Sequence, residues 1–194
     1  MQKSQSKDKL STGQTVTIKP MVAVQPGFGM TFTTQLVLSQ SNSYFETLIL
    51  KIKNFDTMIM LQYRPPDCPF EKFDKALKVC QSVIDETMNK DPKIQKIIDF
   101  GDYKFPCISW PSRKIYVQDQ EDGKNKASMK KQAELYLQFQ DENFLNNQIE
   151  TPTRGKAIVD LISSNNYMII QFYKITINKK LSDHNIVEVS FNFS

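Results

Sequence analysis

Strand periodicity governs the chain from residue 45 onward. In residues 45–53 the apolar Leu48, Leu50 and Ile52 share one face, and Asn54-Phe55-Asp56 has turn composition. Residues 57–63 form a second, more apolar run, so the two predict an antiparallel hairpin. Arg64-Pro65-Pro66 must end it, because proline brings no N–H to the ladder. Residues 70–88 switch to helical spacing, with Phe73, Leu77, Cys80 or Val79, Val83, Ile84 and Thr87 on one side and Pro69 at the entry. A short apolar strand over 94–100 stops at Gly101-Asp102, and the charged, turn-rich 111–126 predicts a surface loop. A second amphipathic helix is predicted over 129–144, with Ala133, Tyr136, Leu137 and Phe144 inward. Strand-like runs follow at 157–163, 168–177 and 186–193. This succession predicts an α/β fold in which helices cover sheets.

Composition narrows the class further. The chain has 194 residues, 40% of them apolar, with 13 Phe, which suits one domain with a sizeable core. Trp110 reads as an anchor within that core. With 25 basic and 21 acidic residues the net charge is +4, compatible with a polyanion partner without demanding one. Cys68, Cys80 and Cys107 are widely spaced and share a single histidine, which argues against zinc and for reduced thiols. No apolar run nears the roughly 18 residues of a membrane span, and residues 1–10 lack a signal-peptide core. The expectation is an intracellular protein, nuclear or cytoplasmic, with no membrane contact. Residues 1–44 are irregular, with weak strand character at Val16, Ile18 and 21–24 and again over 31–39.

The polar residues that punctuate these elements carry the candidate chemistry. Gly101-Asp102 closes an apolar strand and displays its carboxylate at a sheet edge, where ligands collect. Glycine there allows a tight exit. Asp160 stands in the β-rich Ile158-Val159-Asp160-Leu161-Ile162, where a carboxylate is costly unless a metal, a histidine or hydrogen bonds satisfy it. His184, the only histidine, directly follows Asp183. Its imidazole is the side chain suited to proton transfer near neutral pH. Tyr63 and Arg154 add a phenol and a guanidinium at element ends. Phosphodiester hydrolysis uses such a kit: carboxylates for Mg²⁺, a base for water, and donors for the transition state.

Four motifs in order then bring in a family. Tyr63-Arg64-Pro65-Pro66 is followed by Gly101-Asp102-Tyr103-Lys104-Phe105-Pro106-Cys107-Ile108-Ser109-Trp110, by Thr153-Arg154 with Ile158-Val159-Asp160-Leu161, and by Ser182-Asp183-His184. The series resembles the endonuclease domain of non-LTR (LINE-type) retrotransposons, in the endonuclease/exonuclease/phosphatase superfamily. The resemblance runs over 45–194 and implies a two-sheet α/β sandwich with helices on its outer faces, incomplete at the N-terminus, with residues 1–44 a divergent segment. It implies Mg²⁺-dependent hydrolysis of DNA. On this resemblance Tyr63 contacts the scissile phosphate, Asp102 orients or activates water, and His184 binds phosphate or shuttles a proton. Asp160 and Asp183 serve the metal and histidine network, Asp183 as metal ligand, while Lys104 and Arg154 contact substrate.

The departures matter as much. The family pattern has asparagine where this chain has Lys104, and lysine offers donors and a point charge but no acceptor. The family's early asparagine and its metal-binding glutamate have no counterpart in this chain. Glu46 lies too close to Tyr63 to be that glutamate and reads as a strand-face residue. Two readings stay open: a Mg²⁺-dependent nicking domain with reduced or no activity, and a non-catalytic relative serving as a transposon relic or binding module. A third, a phosphatase of small phosphoesters, fits the retroelement-like motifs less well.

Overall fold

The computed structural model describes residues 34–42, 44–116, 123–177 and 183–191. The strand character expected at Val16, Ile18 and 21–24 lies outside these. The hairpin forms as the alternation predicts: β2 (Phe45–Ile52) pairs antiparallel with β3 (Thr57–Tyr63) around a turn in which Asp56 takes a φ of 50°. Ahead of it, β1 (Thr34–Asn42) pairs antiparallel with β2. The sheet therefore begins before the boundary expected at 45. Helix α1 (Phe70–Lys90) buries Phe73, Ala76, Leu77, Cys80, Ile84 and Thr87. It returns the chain to β4 (Lys96–Asp102), which lies parallel to β3.

The stretch expected to be one surface loop holds more order. A short hairpin of β5 (Ile108–Ser109) and β6 (Lys114–Ile115) comes first, and α2 (Gly123–Glu142) starts well before residue 129. Phe144 is not inward. It follows the helix end at a φ of 55°, which turns the chain, and it is 77% exposed. Next come β7 (Asn146–Asn147), β8 (Asp160–Ser164), β9 (Ile170–Thr176) and β10 (Ile186–Phe191). The larger sheet runs β1-β2-β3-β4-β8-β7, and β9 pairs with β10 in a second sheet.

The two sheets and the helices make three layers. Phe45, Ile49, Met58, Met60, Ile97 and Leu161 face α1 and α2, meeting Phe73, Leu77, Cys80, Ile84, Tyr136 and Phe139. Ile52, Ile59, Leu61, Ile98, Phe100 and Ile162 face the second sheet, meeting Tyr173, Ile175, Val187, Val189 and Phe191. Strands β3 and β4 are covered on both faces, so nearly every position along them is buried. Strand β10 alternates exposed and half-buried positions, because one of its faces meets water. The architecture is the α/β pairing of two sheets, with both helices on the outer face of the larger one. Trp110 is an anchor: it is buried and its Nε1 donates to the Ile158 carbonyl at 3.1 Å. Among the described residues no helix is long and apolar enough to cross a membrane.

Candidate active site

Strand register sets Glu46, Tyr63, Asp102 and Asp160 side by side across four strands, at one end of the larger sheet. Residues in register point to the same face, and two residues back along each strand stand Leu48, Leu61, Phe100 and Ile162, which belong to the inter-sheet core. The polar row therefore terminates the apolar layer between the sheets. Ahead of β10, His184 comes down onto this row. Its Nδ1 lies 3.0 and 2.9 Å from the two oxygens of Asp160, and its Nε2 is 4.0 Å from Asp102 Oδ2. A carboxylate can only accept, so Nδ1 carries the proton and Nε2 is the atom turned toward Asp102. Lys104 Nζ sits 3.4 Å from Asp102 Oδ2 and 3.4 Å from the Tyr63 hydroxyl, 5.0 Å above that ring.

The electrostatics follow from this crowding. Asp102 is 4% exposed. Burial first, and then the neighbouring Asp160 carboxylate, raise its carboxyl from 3.8 to about 6 against the pull of Lys104 and His184. Asp102 Oδ1 is buried and meets no hydrogen-bond donor among the described residues. Ligand atoms of Asp102, Asp160 and His184 all fall within 4.8 Å of one another. Two adjacent carboxylates, one with an unpartnered buried oxygen, fit a hard divalent cation that takes oxygen ligands and keeps waters.

Behind the row, a set of buried contacts holds it in place. Just after β4 the Tyr103 side chain lies back along the strand, so that its ring covers Gly101 and its hydroxyl donates to the Asp99 carboxylate at 2.7 Å. A Cβ on Gly101 would lie 2.2 Å from that ring, so the glycine is there to make room for Tyr103, not to ease a strand exit. Asp99 also accepts from Tyr136 and Gln62, and burial still raises its carboxyl to about 7. Arg64, fully buried, donates to Gln132 at 2.7 Å and to the carbonyls of Tyr103 and Lys104 at 2.8 and 3.3 Å, with its guanidinium 4.5 Å over Phe105. It ties the Tyr-Arg-Pro-Pro turn to the Asp102 loop. Thr153 Oγ1 accepts the backbone N–H groups of Val159 and Asp160, each at 3.0 Å, and the Asn185 N–H reaches the Thr153 carbonyl at 2.7 Å. Asp160 and His184 are thus fastened to the same short segment.

Of the residues singled out in the sequence, Tyr63, Asp102, Lys104, Asp160 and His184 lie together. Asp183 and Arg154 stand apart. Their side chains pair with each other at 2.5 Å, and Asp183 is 65% exposed. What desolvation it feels pushes its carboxyl up, but the hydrogen bond and charge of Arg154 prevail and hold it below its usual value. A carboxylate so engaged stands outside the group formed by Asp102, Asp160 and His184. Sequence reading missed Arg64, Thr153 and Asp99. Asp99 carried a signal, since Ile97-Ile98-Asp99-Phe100 poses the same burial problem that singled out Asp160.

No family model matches the chain, and no curated protein matches it. Among solved structures it is similar to the endonuclease domain of TRAS1, a telomere-specific non-LTR retrotransposon, at 16% identity over 84% of this chain and 70% of that one, with a TM-score of 0.48. It is also similar to an endonuclease/exonuclease/phosphatase family protein from Bacteroides thetaiotaomicron, at 11% identity and a TM-score of 0.42. That match covers 82% of this chain and 61% of the other, so this chain spans less than two thirds of that protein. The chemistry rests on the residues described above.

Proposed function

We propose that the row is a phosphodiester-cleaving site and the chain a DNA endonuclease-type domain of the retrotransposon kind. The observation that carries this reading is the convergence of Asp102, Asp160 and His184 at the strand ends, with the Lys104 ammonium and the Tyr63 hydroxyl beside them. Asp160 holds the imidazole by Nδ1, so that Nε2 is presented toward Asp102 and a reacting phosphate. Lys104 and Tyr63 donate to phosphate oxygens, supporting the charge that builds on them. Asp102, at the centre of the row, orients or activates the attacking water. Asp102 and Asp160 are the carboxylates suited to hold Mg²⁺, and the chemistry that ion supplies when bound is neutralisation of phosphate charge. Arg154, with Asp183, lies at the rim and contacts the DNA backbone. The net charge of +4 suits that partner. A DNA substrate of that kind suits a protein of the nucleus or cytoplasm.

Nicking of supercoiled plasmid in Mg²⁺, beside EDTA and His184→Ala, tests the reading. Nicking that disappears in both controls supports it, and no nicking by folded protein rejects it. The second reading, a relative that binds DNA without cutting it, is favoured by one observation: an ammonium already stands against Asp102. It is the outcome if the folded chain binds DNA and leaves it intact.

A further inference from the structure

Lys104 is held with unusual firmness for a lysine. Its backbone takes a φ of 50°, a conformation in which asparagine or glycine is at ease and a long side chain is strained. Its N–H reaches the Val159 carbonyl at 3.4 Å, and its own carbonyl accepts from Arg64 at 3.3 Å. The side chain is 17% exposed and runs inward to Asp102 Oδ2 and the Tyr63 hydroxyl. A strained, half-buried lysine pinned from both sides delivers a fixed positive charge to Asp102, whose other oxygen is buried and unpartnered.

We propose that Lys104 is a tethered cation that competes with a divalent ion for Asp102, so that the cluster takes up divalent ions weakly and grips phosphate through the ammonium. The inference rests on the reading of the row as a phosphodiester site. Its reason is elementary: like charges repel strongly in a poorly hydrated setting, and an ammonium that donates to Asp102 and Tyr63 uses the acceptors a hard cation needs.

The test is Mn²⁺ binding to the whole chain, read from the free-ion electron paramagnetic resonance signal. Wild type, Lys104→Asn, Lys104→Gln and Asp102→Asn are compared, each first shown to melt cooperatively. Asparagine suits the backbone angle and glutamine keeps much of the side-chain length, so either variant that folds decides the matter. The expected result is at least tenfold tighter Mn²⁺ binding in the Lys104 variants than in wild type, and none above background in Asp102→Asn. Unchanged or weaker binding in the Lys104 variants overturns the proposal, as does tight binding by wild type. Plasmid nicking separates this from the function. A chain that nicks DNA but binds Mn²⁺ equally with and without Lys104 refutes the tethered cation alone. Tightened Mn²⁺ binding with no nicking in any variant refutes the endonuclease alone.

Discussion

Gly101→Ala is the smallest change that should do the most damage. A methyl there would stand 2.2, 2.7 and 2.9 Å from three carbons of the Tyr103 ring, whereas carbon atoms rest at roughly 3.5–4.0 Å. The ring has nowhere to go. It is fully buried, its centroid lies 4.2 Å from that of Tyr136, and its hydroxyl is bound to Asp99. Overpacking of this kind costs about 1–3 kcal/mol. If the ring moves, a buried carboxylate loses a donor, which costs about 1–3 kcal/mol more. A sum near 4 kcal/mol lowers the melting temperature by roughly 8–16 °C for a chain of this size. Circular dichroism melts and urea titrations of wild type, Gly101→Ala, Tyr103→Leu and the double variant measure it. In the Tyr103→Leu background the penalty should shrink to about 1 kcal/mol, because the clash is gone. The reasoning is refuted if Gly101→Ala melts within about 2 °C of wild type, or if its penalty is the same in both backgrounds.

Three further outcomes are expected. Burial raises the carboxyls of Asp99 and Asp102 from 3.8 to about 7 and about 6. The folded chain therefore keeps protons that the unfolded chain sheds near 3.8, and the stability these groups contribute is full below about pH 4 and lost as pH rises through about 6 to 7. Urea unfolding at pH 5 and pH 8 should show that loss reduced in Asp99→Asn, and an unchanged pH dependence would contradict it. Arg64→Lys keeps a charge but loses the fork that reaches Gln132 and two carbonyls, so it should destabilise by about 3 kcal/mol. Faster amide exchange at residues 103 and 104 should accompany this, and a loss below about 1 kcal/mol would contradict the locking role. Phe144→Gly relieves a φ of 55° at an exposed position and should stabilise by about 0.5–1 kcal/mol. A loss above about 2 kcal/mol in urea titration would show that the ring is buried.

Much of the chain is legible because its pattern is local. The β2–β3 hairpin and α1 follow from periods of 2 and 3.6 that a single amphipathic face imposes, and Arg64-Pro65-Pro66 stops β3 by removing ladder donors. The motif residues Asp102, Asp160 and His184 could be named for the same reason: each is a polar residue whose type is wrong for an apolar surrounding or right for proton transfer. What those residues do to one another is not local. Asp102 and Asp160 are neighbours only because β8 pairs with β4, and His184 joins them only because the second sheet packs across that face. Asp183, beside His184 in the chain, is claimed by Arg154 instead. Phe144 keeps a helical spacing on paper, yet α2 ends before it and the turn sends it to solvent. Gly101 reads in the sequence as a tight strand exit, whereas in the fold it makes room for Tyr103. Periodicity records which face of a single element must avoid water, whereas the partner that shifts a carboxyl, fills a gap or occupies a charge arrives from a distant segment, and only the closing of the two cores decides which one it is.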